Sequence, residues 1–385
     1  MYSALRSKRT ILTIALLIIA TAILLIIPSP LPAKIGTGDF RPYWSSTYLL
    51  AHGQDFSDST KIYNVERELT GWDAAFPMYA WFAPTGNVLL FPYILFDFRR
   101  AAYYWFLTNI VIIFSSALLI WQNKKMQIWV PLVATFSFSM TLLSFITGQV
   151  NTLVLLGLAL YLTFSQKPAY DYAAGASLVL TTIKSHLVIL TLPILLLDIL
   201  WRKQWRVLAG FASALLGCTL ILFFFYTAWP ISFWRLVTFG MSLWRLTPTL
   251  PGILVLAGRG VWGKWVWIVG LACAVAIWWK FRNKLDKRTW IDVSIFGGMI
   301  VAPVGWSYDQ VMLLFPILHI LEWVVDGSLT RTDGAIIGMI LVIGNGVTFY
   351  QRLTVGSEVW YFWVPIFVAV VYMFARQRRQ ISNVA

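Results

Sequence analysis

Uncharged apolar runs recur along almost the whole of this chain, and the first, from Ile11 to Ile27, is already long enough to approach the roughly 20 apolar residues that a helix needs to cross a hydrocarbon layer. In lipid every backbone N–H and C=O must find a partner inside the protein, which leaves helices or a closed barrel. Runs such as Leu153 to Phe164 and Val207 to Tyr226 lack the two-residue alternation of barrel strands. The expected fold class is therefore all-α, a polytopic transmembrane helical bundle. Composition leads to the same place: 59% of the 385 residues are hydrophobic and 12% charged, too few charges for an ordinary water-facing surface. No fixed-period repeat, low-complexity tract or soluble domain interrupts the pattern, so residues 1–385 read as one membrane domain.

The apolar runs predict twelve spans, at about 11–27, 102–121, 128–146, 150–165, 172–184, 186–200, 207–226, 262–279, 290–304, 310–326, 334–350 and 358–375. The first is expected to be retained rather than cleaved, because its apolar segment exceeds the ~7 to 15 residues of a signal peptide core. The stretch from Pro84 to Phe96 is too short to cross and is expected to be interfacial or re-entrant. A net charge of +14 would suggest nucleic acid for a soluble protein, but here the charge divides between two membrane faces and implies no such partner. With the N-terminus in the cytoplasm, 18 of the 30 basic residues fall on the cytoplasmic side, including the Arg202-Lys203-Arg206 and Lys280 to Arg288 clusters and the Arg376-Arg378-Arg379 tail. Twelve crossings return the C-terminus to the same side. No retention signal is evident, which points to a bacterial or archaeal cell membrane.

Two segments are then extracytoplasmic. Residues 28–79 form a first loop carrying Asp39, Asp55, Asp58, Glu66, Glu68 and Asp73; residues 227–261 form an amphipathic loop in which aromatics alternate with Arg235, Arg245 and Arg259. The twelve remaining basic residues lie on the side that the orientation rule disfavours, and an anionic partner there would account for them. Lys184 is the most exceptional, a lone charge within the apolar stretch from Leu178 to Leu197. Cys218 and Cys273 both sit in apolar runs and offer neither a metal-ligand spacing nor a disulfide pairing. The first-loop acids impose no metal-ligand pattern, so no metal or cofactor is expected.

The most specific local feature is Gly36-Thr37-Gly38-Asp39-Phe40-Arg41, followed by Tyr43 and Trp44. A carboxylate at the membrane surface among aromatics can take the proton of an attacking hydroxyl. Departure of a phosphate needs cations. Asp39 answers the first need and the basic set the second. The plainer reading makes Asp39 a turn or cap residue paired with Arg41.

These residues, and others in order behind them, resemble a known family. Asp39-Phe40-Arg41-Pro42-Tyr43-Trp44 with Leu49 to Asp55, Gly148-Gln149-Val150-Asn151, Ile183-Lys184-Ser185-His186-Leu187, and Ala302-Pro303-Val304-Gly305-Trp306-Ser307-Tyr308-Asp309 together resemble the motifs of glycosyltransferase family 87. The resemblance extends from Asp39 to about His319. It implies a GT-C type fold in which a polyprenyl-phosphate sugar donor lies in the bilayer and a glycolipid, glycan or protein acceptor enters from outside; relatives commonly transfer mannose. On that resemblance Asp39 is the general base, Lys184 faces the donor phosphate with His186, Arg245 and Arg259 near it, and Arg41, Tyr43, Trp44, Gln149, Asn151, Trp306 and Asp309 line the substrate pocket.

Two departures stand out. Ser185 replaces a frequent proline, and Tyr308-Asp309-Gln310 stands where a histidine is frequent, leaving His186, Arg245 or Arg259 to take its place. The mechanism implied is one in-line displacement with inversion and no covalent intermediate. A paired-carboxylate hydrolase using Asp39 with Asp309 or Asp73, a transporter or lipid flippase with Lys184, Asp309 and Gln149 along its pathway, and a nonenzymatic scaffold are the alternatives that sequence leaves open. His186 at a span boundary also reads as a packed histidine, His319 even more so, and Gln149 and Asn151 as interhelical hydrogen-bonding amides.

Overall fold

Short polar side chains mark the helix starts. At the head of Ser59–Thr70, Asp58 accepts from the Thr60 and Lys61 amides. Asp97 accepts from Arg100 N ahead of Phe98–Ile120, Asp286 from Thr289 N ahead of Lys287–Val301, and Thr330 from Asp333 N ahead of Arg331–Thr354. Each cap satisfies an amide that the helix itself leaves without a carbonyl. The computed structural model describes residues 35–122, 127–242 and 245–382, and every regular element among them is helical. The first expected span, 11–27, lies outside the described residues.

Among the described residues six helices are long and apolar enough to cross a membrane: Phe98–Ile120, Trp205–Phe225, Gly260–Phe281, Ser307–Val325, Arg331–Thr354 and Glu358–Arg379. A seventh crossing is formed if Trp129–Ser137 and Ser139–Thr147, which meet at 64°, count as one. The bend falls at Phe138, whose backbone is extended, and it frees polar groups that Asn345 then satisfies. Asn345 Oδ1 accepts from Ser139 N at 2.9 Å and its Nδ2 donates to Ser137 O at 2.9 Å. The expected spans at 150–165 and 186–200 appear as the shorter apolar helices Asn151–Phe164 and Thr191–Trp201, and the stretch expected to be too short to cross forms Thr85–Leu90 and Phe91–Leu95.

The main core packs Asn151–Phe164, Lys287–Val301, Leu314–Val325 and Trp363–Ser382 around Tyr161, Phe315 and Tyr372. Charges near one end of that core are paired: Arg288 with Glu322 at 2.5 Å, and His319 Nδ1 with Asp292 Oδ2 at 2.5 Å, the His319 ring lying against Trp323 and Tyr372. His319 is thus packed and partnered. On the outside, Trp205–Phe225 and Gly260–Phe281 bury only 17% and 6% of their apolar windows, a surface that lipid solvates and water does not.

A second core, built from Phe40, Tyr43, Trp44, Phe98, Trp105 and Ile183, fastens the Phe40–Ala51 helix against the bundle. The turn before that helix sits on the end of Ser139–Thr147. Gly36 N donates to Ile146 O and Asp39 N to Thr147 O, both at 2.8 Å, so two terminal helix carbonyls are capped by a segment more than a hundred residues away in sequence. Gly148 makes this approach feasible. It lies in the left-handed region at φ +73°, and a Cβ there would stand 2.5 Å from Gly36 O and 2.9 Å from Phe40 Cβ.

Candidate active site

The seat just described fixes Asp39 beside the residue that follows Gly148. Gln149 is fully buried, and its Nε2 donates to Asp39 Oδ2. Its Oε1 accepts from Tyr43 Oη at 3.0 Å and from Lys184 Nζ at 2.7 Å. Although Asp39 occupies the N-cap position of Phe40–Ala51, its side chain makes no capping hydrogen bond, and no ion pair joins it to Arg41. The carboxylate is turned toward Gln149 instead.

Lys184 reaches this point because the backbone breaks at it. The 3-10 stretch Leu178–Val188 is interrupted there at φ −123°, ψ 75°, and the carbonyl of Ile183 is taken by Ala83 N at 2.8 Å. The lysine is 3% exposed and its ammonium also bonds Asp309 Oδ1 at 3.1 Å. Asp309 stands in the first turn of Ser307–Leu313, where its Oδ2 accepts from Trp306 N at 3.1 Å and faces His186 Nε2 at 3.4 Å. Asn151 and Ser144 both donate to Tyr308 O, at 2.8 and 3.2 Å, which secures the backbone that carries Asp309. Asp39, Gln149, Lys184, Asp309 and His186 thus form one hydrogen-bonded chain drawn from four separate segments.

Burial is the dominant influence on Asp39 and raises its carboxyl above the ordinary carboxylate range; Lys184 opposes that rise, the charge of Asp309 adds to it, and hydrogen bonds from Tyr308 and Gln149 oppose it again. Burial pushes the Tyr43 phenol well above its usual value, so Tyr43 remains a donor to Gln149. A carboxylate that is shielded, held by donors and moved toward neutral pH is suited to accept a proton.

Lys184 and His186 also face a cavity of about 340 Å³. Its walls are mainly apolar, with Phe82, Phe233, Leu236, Val255 and Trp267 among them, and its cations are Lys184, Arg245 and Lys264. The Arg245 guanidinium lies over the rings of Trp81 at 4.5 Å and Trp306 at 5.5 Å. An apolar chamber with three cations in its lining fits an anionic head on a hydrocarbon tail.

The expected site residues separate into four groups. Asp39, Tyr43, Gln149, Lys184, His186 and Asp309 belong to the hydrogen-bonded chain, while Arg245 and Trp306 join Lys184 and His186 on the cavity wall. Asn151 is buried behind Asp309 as a support. The structure brings Arg41, Trp44 and Arg259 neither to the hydrogen-bonded chain nor to the cavity. Arg41 stacks over Trp72 at 4.6 Å and Phe98 at 5.3 Å, Trp44 donates to Tyr93 O within the first-loop core, and Arg259 is exposed ahead of the short helix Gly260–Gly263. Trp81 and Trp267 are near the site without having been singled out from sequence, while Lys264 was noticed only as one of the twelve basic residues on the disfavoured side and Tyr308 only as part of the late motif. Tyr308 was the nearest to legible, since it neighbours Asp309. Among the described residues no three His, Cys, Asp or Glu side chains gather in a metal-binding group.

The fold and the site define a polytopic helical membrane protein in which a buried acid, Asp39, is linked through Gln149 to a lysine on the wall of an apolar cavity. The profile of glycosyltransferase family 87 matches residues 79–303, more than half of the chain, and the chain belongs to that family. It is accordingly a glycosyltransferase, with a sugar donor and an acceptor as substrates. Gln149, Lys184, His186 and Arg245 fall inside the matched region; Asp39, Trp306 and Asp309 fall outside it. No curated protein and no solved structure matches the chain.

Proposed function

We propose that the protein moves a hexose, mannose on the family resemblance, from a polyprenyl-phosphate donor to an extracytoplasmic acceptor in one inverting displacement. The observation that carries this reading is the chain from Asp39 through Gln149 to Lys184, which ends on the wall of an apolar cavity that Arg245 also lines. The prenyl tail lies along the apolar walls, and the phosphate accepts a hydrogen bond from the third N–H of the Lys184 ammonium, which neither Gln149 nor Asp309 uses. Arg245 and His186 approach the same group. Asp39 accepts the proton of the acceptor hydroxyl as its oxygen bonds to the anomeric carbon. The bond from that carbon to the phosphate oxygen breaks, and the electron pair leaves with the prenyl phosphate, whose growing charge the cations stabilise.

Twelve crossings in a GT-C type arrangement, cytoplasmic termini and an extracytoplasmic site in a cell membrane are part of this proposal. Short apolar helices such as Asn151–Phe164 and the bent Trp129–Thr147 pair would act as crossings alongside the six long ones. Residues 28–79 and 227–261 would form the outer face.

Asp39→Asn keeps the shape of the site and removes the base. Transfer from a labelled prenyl-phosphate sugar in membranes should fall by about 100-fold or more, with donor binding retained. Undiminished turnover by that variant would remove Asp39 as base. No metal is assigned a role, and turnover should survive exhaustive treatment with EDTA; loss that added magnesium or manganese restores would overturn that part.

A further inference from the structure

The amide of Gln149 is held by three groups at once, and only one orientation suits them all. Lys184 Nζ and Tyr43 Oη both donate to its oxygen, at 2.7 and 3.0 Å, so the oxygen must face them and the NH2 must face Asp39. Turning the amide over would set two NH donors against an ammonium that cannot accept and would aim a carbonyl oxygen at the Asp39 carboxylate. The side chain is fully enclosed, so no water replaces these partners cheaply. Gln149 is therefore a spacer of fixed polarity between the acid and the lysine. It stops Lys184 from closing directly onto Asp39, while Asp309 takes up the lysine's charge on the other side at 3.1 Å.

We propose that Gln149 is a positioning residue, which keeps the Asp39 carboxylate aimed and ionised for proton abstraction while it keeps the Lys184 ammonium apart from it and available to the donor phosphate. A direct Asp39–Lys184 ion pair would weaken the base and occupy the cation that the leaving group needs. With the amide between them, each retains its own task. The inference rests on the glycosyl-transfer reading above. The groups that face Asp39 from the surrounding elements are Gln149 and Lys184, Tyr43 from its own helix, and Tyr308 and Asp309 from Ser307–Leu313.

The sign of the expected pH effect follows from the donor. An N–H bonded to a carboxylate favours its ionised form, so losing it moves the Asp39 titration upward. A base must be ionised, and the acidic limb of turnover should move upward with it. The variants are Gln149→Met, which keeps length and burial, and Gln149→Glu, which keeps shape and replaces the NH2 by a carboxyl oxygen. Purified full-length protein, labelled prenyl-phosphate sugar and acceptor give kcat and the donor KM across pH.

In both variants kcat should fall about 10- to 100-fold and the acidic limb should rise by about one pH unit, while the donor KM changes less than about threefold. A rise in donor KM with kcat and the limb unchanged would make Gln149 a pocket wall and overturn the proposal. So would wild-type behaviour of both variants. If Gln149→Met does not fold, the isosteric Gln149→Glu decides alone. Failure here with Asp39→Asn still inactive removes only Gln149's role; an active Asp39→Asn removes the reading beneath it.

Discussion

Glu66 is fully enclosed, although it belongs to a loop helix facing water. Its Oε2 accepts from Met78 N at 2.8 Å, tying Ser59–Thr70 to the strand of chain that leads toward the cavity, and Oε1 is buried. Burial raises its carboxyl to about 7, with the Met78 amide and the charge of Arg41 opposing. The folded protein therefore holds a proton on Glu66 that the unfolded chain releases near its ordinary value of 4.5. Stability linked to this group is fully present below that value and is lost as pH rises through about 7. The thermal midpoint of the purified protein should fall as pH rises from about 5.5 to about 8.5, and Glu66→Gln should flatten that fall. Parallel curves for the two proteins would show that Glu66 is already ionised in the fold.

At this scale the sequence was informative where a residue clashed with its setting. A lysine in an apolar run has few structural explanations, and an acid after two glycines and before aromatics has few more; Lys184 and Asp39 meet through Gln149. Arg245 and Arg259 share a loop and a residue type, and nothing local says which points inward. That choice depends on Trp81 and Trp306, the rings above which the Arg245 guanidinium lies, both supplied by distant segments. Lys264 reads as a headgroup cation from its neighbours alone, and only the path of the chain around it turns it toward the cavity.

Among the elements, the apolar runs located the helices of the bundle but not their internal geometry, and they missed those of the two expected loops, Phe40–Ala51, Ser59–Thr70, Trp229–Ser242 and Leu250–Leu256. A hairpin was expected to turn between residues 184 and 186; the chain does change course there, by 3-10 winding and a break at Lys184. The kink at Phe138 has neither proline nor glycine to announce it, because its stabilising partner is Asn345 on another helix. Gly148 gives the sharpest test of how elements assemble this site. Alanine there would need a left-handed backbone and would press on the Gly36 carbonyl at 2.5 Å. Gly148→Ala should cost about 1 to 3 kcal/mol and lower turnover by about 10-fold or more, as Asp39 loses its seat. Thermal unfolding and kinetics measured on the same preparation check both parts, and an unchanged midpoint with full turnover would show that the loop adjusts at little cost.

For the whole molecule, hydropathy and the division of basic residues together predict a topology that length-based counting reaches only in part, since several apolar helices are shorter than a bilayer is thick. The proposed topology puts Glu68 outside and Arg331 inside, and both are exposed. In a background lacking Cys218 and Cys273, a membrane-impermeant maleimide added to intact cells should label Glu68→Cys and leave Arg331→Cys unlabelled until the cells are opened. The reverse pattern would invert the orientation, and equal labelling of both would place the two positions on one face.

The docking of residues 35–39 onto the end of the Ser139–Thr147 helix has a practical consequence. On the proposed reading the proton acceptor is carried by a segment fastened by two backbone hydrogen bonds, by the bond from Gln149 and by the packing of Phe40, Tyr43 and Trp44, while the cations belong to the body of the bundle. If the donor is lipid-borne, as proposed, inhibition need not compete with it inside the bilayer. An antibody fragment that prises this segment away would silence the enzyme from the aqueous side, and turnover that persists with the fragment bound would show that the docking holds against it.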